Sequence, residues 1–333
     1  MTGQSSAPLI ISDYAFSEAD RERLEARLGP GRLVLVKSNS GLPEALSAHP
    51  DADVLCTFFP PADTLERVPG LRWVALTSAG ADGAVRANLL RSDGKPVVTT
   101  ASGVHAVAIS EFVFSLLLMW TRHWPRLLEQ QRERRWPDRR SWLALQGNEL
   151  AGATLGIIGL GAIGRQTARL GRAFGMRIIA LRRSVREGER DADVDELYPM
   201  TGLRDLLAAA DYVVVAVPGT DQTRHLIGDE ELRAMKSSAF LVNIARGMVI
   251  DEEALVAALR DGVIAGAGLD VFEREPLPED SPLWTMPNVI IAPHLSGNSA
   301  TYSRRFTDLF LDNIERYRQG LTLRNVVDPT LGY

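Results

Sequence analysis

The sequence predicts an α/β protein of two domains with parallel sheets, and three observations carry that expectation. Short apolar runs alternate with helical patterns along most of the 333 residues. The runs fall into two series separated by a long apolar helix. A Gly-x-Gly-x-x-Gly turn follows the first run of the second series. At about 100–200 residues per domain, the length itself points to two domains. Alternation of this kind gives a parallel sheet covered by helices.

The first series reads as strands Leu9–Ser12, Leu33–Val36, Asp53–Cys56 and Trp73–Leu76, with a charged helix over Ser17–Leu28. The second reads as Thr154–Ile158, Arg177–Leu181, Tyr212–Val217, Ala239–Ile244, Gly266–Asp270 and Val289–Ala292. Six strands with helical links fit a doubly wound parallel sheet. A helix over Asp251–Arg260 is bounded by Asp251 as N-cap and Gly262 as stop. Asp251, Glu252 and Glu253 suit the start of that helix and its dipole. The apolar helix His105–Trp124 is expected to link the domains, and Ser299–Gln319 forms an amphipathic tail helix. Arg132–Arg140, basic and aromatic, reads as a solvated helix end or subunit contact.

Composition narrows the function classes. The net charge is −5, so no basic surface for nucleic acid or membrane is expected. The longest apolar stretch, Phe112–Trp120, is much too short to span a bilayer. Met1–Ile11 has no basic segment followed by an apolar core, so no signal peptide is expected and a cytoplasmic enzyme is the default. The one cysteine, Cys56, excludes an intrachain disulfide and reads as a small buried core residue. No metal site is expected.

The turn Gly159-Leu-Gly161-Ala-Ile-Gly164 follows a strand and opens a helix, the context in which this motif binds a dinucleotide. Gly159 permits the tight turn, Gly161 lets the backbone approach a pyrophosphate, and Gly164 lets helix and strand pack. The amides of Ala162 and Ile163 point along the helix dipole toward the anion. The ribose-sensing position lies roughly 20 residues past the glycines. There the chain reads Arg182-Arg183-Ser184 instead of an acid. Two guanidinium groups suit a 2′-phosphate, so NADP is the expected cofactor and NAD the alternative. An arginine capping a surface strand is the plainer reading of one of the pair.

Three further stretches lie at the C-terminal ends of proposed strands, where open α/β sheets bind ligands. They are Val242–Gly247 with Arg246, Gly268–Pro276 with Asp270 and Glu275, and Ala292–Gly297 with His294. Arg246 can bind an oxyanion bidentately. His294 can donate a proton as hydride arrives. Glu275 beside it would orient the ring and favour its charged form. The set fits reduction of a small 2-keto acid, or the reverse. Glu273 reads as a solvated neighbour of Glu275. His49, His105, His123 and His225 read as surface or helix-end residues, with a cleft position the second reading for His105.

On these residues the chain closely resembles the D-isomer-specific 2-hydroxyacid dehydrogenases, over nearly its whole length. The resemblance implies catalysis by Arg246, Glu275 and His294, and a nicotinamide contact at Asp270. It implies further cofactor contacts at Val217, Pro218, Ile244, Ala245, Arg246 and His294. Ser78, Ala79 and Gly80 resemble the loop whose amides hold the substrate carboxylate, a task shared with Arg246 and His294. Ser102–Ala106 with Glu111 resembles the start of the family's linking helix. A doubly wound (Rossmann) cofactor domain, 102–294, is expected to be inserted into a smaller flavodoxin-like α/β substrate domain, 1–101 and 295–333. A homodimer is implied. The chain departs from the family in Arg182, and in Leu295–Asn298 after the histidine.

Formate dehydrogenases share the fold but pair the histidine with glutamine, so Glu275 argues against that activity. Phosphoglycerate dehydrogenases are also relatives, and their longer members carry an added regulatory domain; a chain ending at Tyr333 is not expected to hold one. A dinucleotide-sensing corepressor without turnover is the alternative from another class. Substrate walls are expected near Phe58, Phe59, Trp142 and Asn298, and the acid itself, from glyoxylate to hydroxypyruvate or pyruvate-like acids, is left open.

Overall fold

The computed structural model describes residues 7–186 and 188–332; the first six residues of Met1–Ile11 and the terminal Tyr333 lie outside them. Two compact units divide the chain: Met1–His105 with Ser299–Tyr333, and Ala106–Asn298.

The first unit holds five parallel strands: β1 (Ile10–Ser12), β2 (Leu33–Leu35), β3 (Val54–Thr57), β4 (Trp73–Leu76) and β5 (Val97–Thr99). Their order, β2-β1-β3-β4-β5, is the flavodoxin-like order of a doubly wound sheet. Side chains alternate across such a sheet. Ile10, Val54 and Trp73 pack on one face with Phe306 and Phe310 of the helix Tyr302–Arg318. Ile11, Leu55 and Val74 pack on the other with Leu42 and Leu46. Burial on both faces explains why these strands read as continuous apolar runs. Ser17 caps the helix Glu18–Leu28 by accepting from the Asp20 amide at 3.2 Å.

The second unit holds seven parallel strands: β6 (Thr154–Ile158), β7 (Arg177–Leu181), β8 (Glu196–Tyr198), β9 (Tyr212–Val215), β10 (Phe240–Asn243), β11 (Gly266–Leu269) and β12 (Val289–Ile291). They are ordered β12-β11-β10-β9-β6-β7-β8. After β8 the chain returns to the middle of the sheet and places β9 beside β6. This reversal of strand order is the switch point at which such sheets bind ligands.

The structure adds β5 and β8 to the strands anticipated from sequence. Each is three residues long and lies at the edge of its sheet. Their apolar runs are only two residues, Val97-Val98 and Leu197-Tyr198, too short for periodicity to reveal. The apolar helix is also shorter than expected. It spans Ala106–Thr121, and after His123 at φ 55° a second helix, Trp124–Arg132, begins. The first of these is part of the second unit's core rather than a separate connector. Phe114 stacks on Phe174 at 4.9 Å and Trp120 on Phe240 at 4.6 Å. Asp251 caps the helix Glu252–Arg260 by accepting from the Ala254 amide at 3.0 Å. Among the described residues no helix is long and apolar enough to cross a membrane.

Cys56 is fully buried in β3, and burial pushes its thiol up to about 12. A raised value keeps the thiol protonated throughout neutral pH, and only the thiolate is nucleophilic. The folded protein at pH 7–8 should therefore leave Ellman's reagent unreacted, and release one equivalent of chromophore only after denaturation. Rapid reaction of the folded protein would contradict this burial.

Candidate active site

Within the second unit, each strand of the sheet centre ends in a residue singled out by its chemistry. Gly159 follows β6, Arg182 follows β7, Val217 and Pro218 lie just past β9, and Ile244–Arg246 follow β10. Asp270 follows β11, and His294 lies just past β12. Parallel strands put all these ends on one edge. Residues more than a hundred positions apart therefore share that edge.

The glycine turn is built by steric exclusion. Gly159 has φ +106°, and a Cβ there would lie 2.6 Å from the Ala216 carbonyl oxygen. A Cβ on Gly164 would lie 2.2 Å from the Gly159 oxygen. At Gly161, by contrast, nothing lies within 4 Å of that position. The helix Ala162–Ala173 begins immediately after it. A crowded turn with open space at its middle glycine and helix amides behind it fits a dinucleotide pyrophosphate.

His294 and Glu275 meet directly, Nδ1 to Oε2 at 2.7 Å. Both remain partly open to solvent, at 49% and 36% of side-chain area. Glu275 is fixed in turn by its other oxygen, which accepts from the Phe272 amide at 3.1 Å. His294 has φ +54°, a left-handed conformation that costs a non-glycine residue on the order of 1 kcal/mol or more. Its amide donates to the Asp270 carbonyl at 2.8 Å. The Asp270 side chain is fully buried, and its two oxygens accept from the Leu295 and Ser296 amides at 2.7 and 3.0 Å. Asp270 thus anchors the backbone that carries His294. The sequence points Asp270 to a nicotinamide contact; the structure shows it anchoring the loop through the Leu295 and Ser296 amides.

Arg246 sits on a turn shaped by Asn243. The Asn243 side chain accepts from the Ala245 amide at 3.1 Å and donates to the Arg246 carbonyl at 3.2 Å. Nη1 of Arg246 donates to the Ala245 carbonyl at 2.7 Å. Its aliphatic stem covers Gly219, where a Cβ would lie 2.6 Å from the Arg246 Cγ. The next residue, Gly247, is pressed against the loop that bears Glu275: a Cβ would fall 1.8 Å from the Phe272 carbonyl carbon.

Two residues read as bystanders are engaged with the same loop. Glu273 is not simply solvated; its Oε1 meets Nε2 of His225 at 2.7 Å. Its amide donates to Glu252 Oε2 at 3.1 Å. Burial, chiefly, raises the Glu252 carboxyl above its usual range, against the opposing effect of that hydrogen bond. The contacts cross 48 and 21 positions of sequence, so spacing gave no signal for them.

In the first unit, Ser78–Gly80 follow β4. The Ser78 hydroxyl donates to the Gly80 carbonyl at 2.7 Å, and the Ser78 carbonyl accepts from the Ala101 amide at 2.8 Å. His105 stacks on Tyr302 at 4.5 Å. Phe58, Phe59 and Trp142 are exposed.

A sequence model described as "D-isomer specific 2-hydroxyacid dehydrogenase, NAD binding domain" matches residues 114–296. A glyoxylate reductase from Aeropyrum pernix is 39% identical over 297 residues, covering 85% of each chain. The chain belongs to the D-isomer specific 2-hydroxyacid dehydrogenases. It is therefore an enzyme with an NAD(P)-binding domain. Among solved structures it is similar to a D-isomer specific 2-hydroxyacid dehydrogenase from Xanthobacter autotrophicus in complex with NADPH. That pair has a TM-score of 0.81 and 30% identity, covering 98% of this chain and 100% of the other. It is also similar to an NADPH-dependent glyoxylate/hydroxypyruvate reductase from Sinorhizobium meliloti in complex with NADP, at TM-score 0.79 and 28% identity over 97% and 99%.

The glycines of this dehydrogenase separate two kinds of requirement. Gly247→Ala forces a methyl into backbone and should lower unfolding free energy by about 2 kcal/mol or more. Gly161→Ala meets only open space, so stability should stay within about 0.5 kcal/mol while NAD(P)H affinity falls about tenfold or more. Urea melts together with cofactor titration by fluorescence check both. Equal stability loss in the two variants would contradict the packing described.

Proposed function

We propose that this enzyme reduces a small 2-keto acid to the D-2-hydroxy acid, and runs the reverse reaction, with NADP(H) preferred over NAD(H). The single observation that carries this reading is the 2.7 Å contact between His294 Nδ1 and Glu275 Oε2. In it the ring is held by a carboxylate at one nitrogen, leaving Nε2 for chemistry. The relatives' names support the substrate class, glyoxylate or hydroxypyruvate. The unit Ala106–Asn298 would be the cofactor domain and the other the substrate domain.

When bound, the nicotinamide supplies or accepts a hydride at C2 of the acid. His294 Nε2 donates the proton that the carbonyl oxygen acquires, and takes it back in the reverse direction. Glu275 fixes the ring orientation and stabilises the imidazolium by its charge. Arg246, a planar cation, binds the substrate carboxylate and polarises the carbonyl. The amides of Ser78, Ala79 and Gly80 are assigned to the carboxylate as well, on the resemblance and on their place past β4. Gly159–Gly164 would hold the pyrophosphate. Arg182, with Arg183 and Ser184 beside it, would take the adenosine ribose and its 2′-phosphate. Val217, Pro218, Ile244 and Ala245 would line the remaining cofactor path. Asp270 would hold the nicotinamide side of the site through the loop it anchors.

His294→Ala should lower kcat for glyoxylate reduction by about 10²–10⁴-fold while NADPH binding survives, because a positioned acid contributes about that much. Glu275→Gln keeps the shape and removes the charge, and should fall between the two. Steady-state NADPH oxidation with glyoxylate and hydroxypyruvate, alongside cofactor titration, decides the matter. Cofactor binding without turnover of any 2-keto acid by the wild type would instead favour a sensing role.

A further inference from the structure

The segment leaving β7 carries paired charges around Arg182. Arg182 Nε donates to the Ser184 carbonyl at 2.9 Å. Its Nη2 is paired with Glu189 Oε1, and its Nη1 lies 3.8 Å from Asp191 Oδ2. The second Glu189 oxygen accepts from the Arg186 amide at 2.9 Å. Asp191 is committed elsewhere: its two oxygens take the two Nη groups of Arg165 at 2.9 and 2.8 Å. Among the described residues, the Glu189 carboxylate is hydrogen-bonded by Arg182 and by the Arg186 amide. Arg182, Ser184, Arg186 and Glu189 line an open depression of about 690 Å³, so the pair faces space that a ligand can enter. The side chains of Arg182 and Glu189 keep 27% and 30% of their area exposed.

We propose that Glu189 is a cofactor-specificity residue, competing with a ribose 2′-phosphate for Arg182 and itself accepting a hydrogen bond from an unphosphorylated 2′-hydroxyl. The inference rests on the reading that Arg182 faces the adenosine ribose. It changes what that arginine does. A guanidinium held by a carboxylate is not freely offered to a phosphate. A phosphate monoester carries about −1.5 to −2 at neutral pH, so Glu189 must leave Arg182 before the phosphate can replace it, or the two anions repel. NAD(H) imposes no such exchange. Its 2′-hydroxyl needs an acceptor, normally an acid roughly 20 positions past the glycines. Glu189 stands 189 − 164 = 25 positions past Gly164 and supplies one from the following loop. The Arg186 amide, and then Arg182, hold the Glu189 carboxyl below its usual range, which keeps it anionic at neutral pH and available for both tasks. One loop therefore serves both cofactors, with the preference for NADP(H) reduced by the competing carboxylate.

The test is a double-mutant cycle on the whole enzyme: wild type, Glu189→Gln, Arg182→Gln and the double variant. Two readouts are measured on each. One is the ratio of kcat/KM for NADPH to that for NADH. The other, independent of turnover, is calorimetric binding of 2′,5′-ADP against 5′-ADP. Glu189→Gln should raise the ratio about three- to tenfold, the range of a partly exposed charge-assisted contact. It should tighten 2′,5′-ADP and leave 5′-ADP unchanged or weaker. Arg182→Gln should lower the ratio, and in that background the tightening of 2′,5′-ADP by Glu189→Gln should shrink. If Arg182→Gln leaves both readouts unmoved, the underlying placement of Arg182 is wrong. If Arg182→Gln lowers them but Glu189→Gln does not raise them, that placement stands and the competition is overturned. Equal tightening of 2′,5′-ADP by Glu189→Gln with and without Arg182 also overturns it. Thermal melts accompany each variant, and Glu189→Ala provides a second removal of the carboxylate should glutamine perturb the loop.

Discussion

The loops past β11 and β12 that carry Glu275 and His294 depend on one buried carboxylate. Asp270 is fully buried at the end of β11. A buried anion is costly unless its hydrogen bonds are satisfied. Here the Leu295 and Ser296 amides satisfy it, and charge-assisted bonds of this kind contribute roughly 1.5–3 kcal/mol each. The exchange runs in both directions. The carboxylate obtains its donors, and the loop past β12 obtains a fixed path. Without that path nothing would offset the left-handed backbone of His294, and the imidazole would not be delivered to Glu275. Asparagine at 270 would offer one acceptor oxygen in place of two and could not serve both amides equally.

A second constraint is close backbone packing. The loop with Glu275 lies against Gly247 at a distance that no side chain tolerates, and Gly247 follows Arg246 directly. Arg246 and Glu275 are thereby tied by main chain, not by contact between their own side chains. Asn243 shapes the first turn and Phe272 holds the carboxylate on the second. Positions set by backbone hydrogen bonds vary less than positions set by long flexible side chains, which suits groups that must meet a reacting atom to within a fraction of an ångström.

Much of this was legible in sequence because burial leaves a pattern. Strands covered on both faces appear as apolar runs, and longer apolar runs mark ten strands to within a residue or two of their ends, as with Thr154–Ile158. The glycine turn was legible because steric exclusion allows few residues there. Glu196–Tyr198 offers an apolar run of only two residues and leaves no such pattern. The anchoring role of Asp270 was hidden for a different reason. A carboxylate that accepts from backbone amides has no partner side chain to leave a mark in sequence, so only the fold identifies its donors. His225 and Glu273 were hidden likewise, since their pairing depends on tertiary proximity alone.

The two ends of the strand edge are built on opposite principles. Around His294, charged groups are fixed by buried amides and tight turns, and rearrangement would expose unsatisfied polar groups. Past β7, Arg182, Glu189, Asp191 and Arg165 form a partly exposed ion-pair network. Partly exposed pairs of this kind contribute on the order of 1 kcal/mol, so one partner can be exchanged for an incoming anion at a cost small enough to allow binding yet large enough to shift its preference. The proposed hydride and proton transfer would need fixed distances, whereas the proposed binding of a cofactor's far end would need only enough affinity and tolerance of small chemical differences. Rigid main-chain anchoring at one place and weak, replaceable ion pairs at the other meet those two demands within a single sheet.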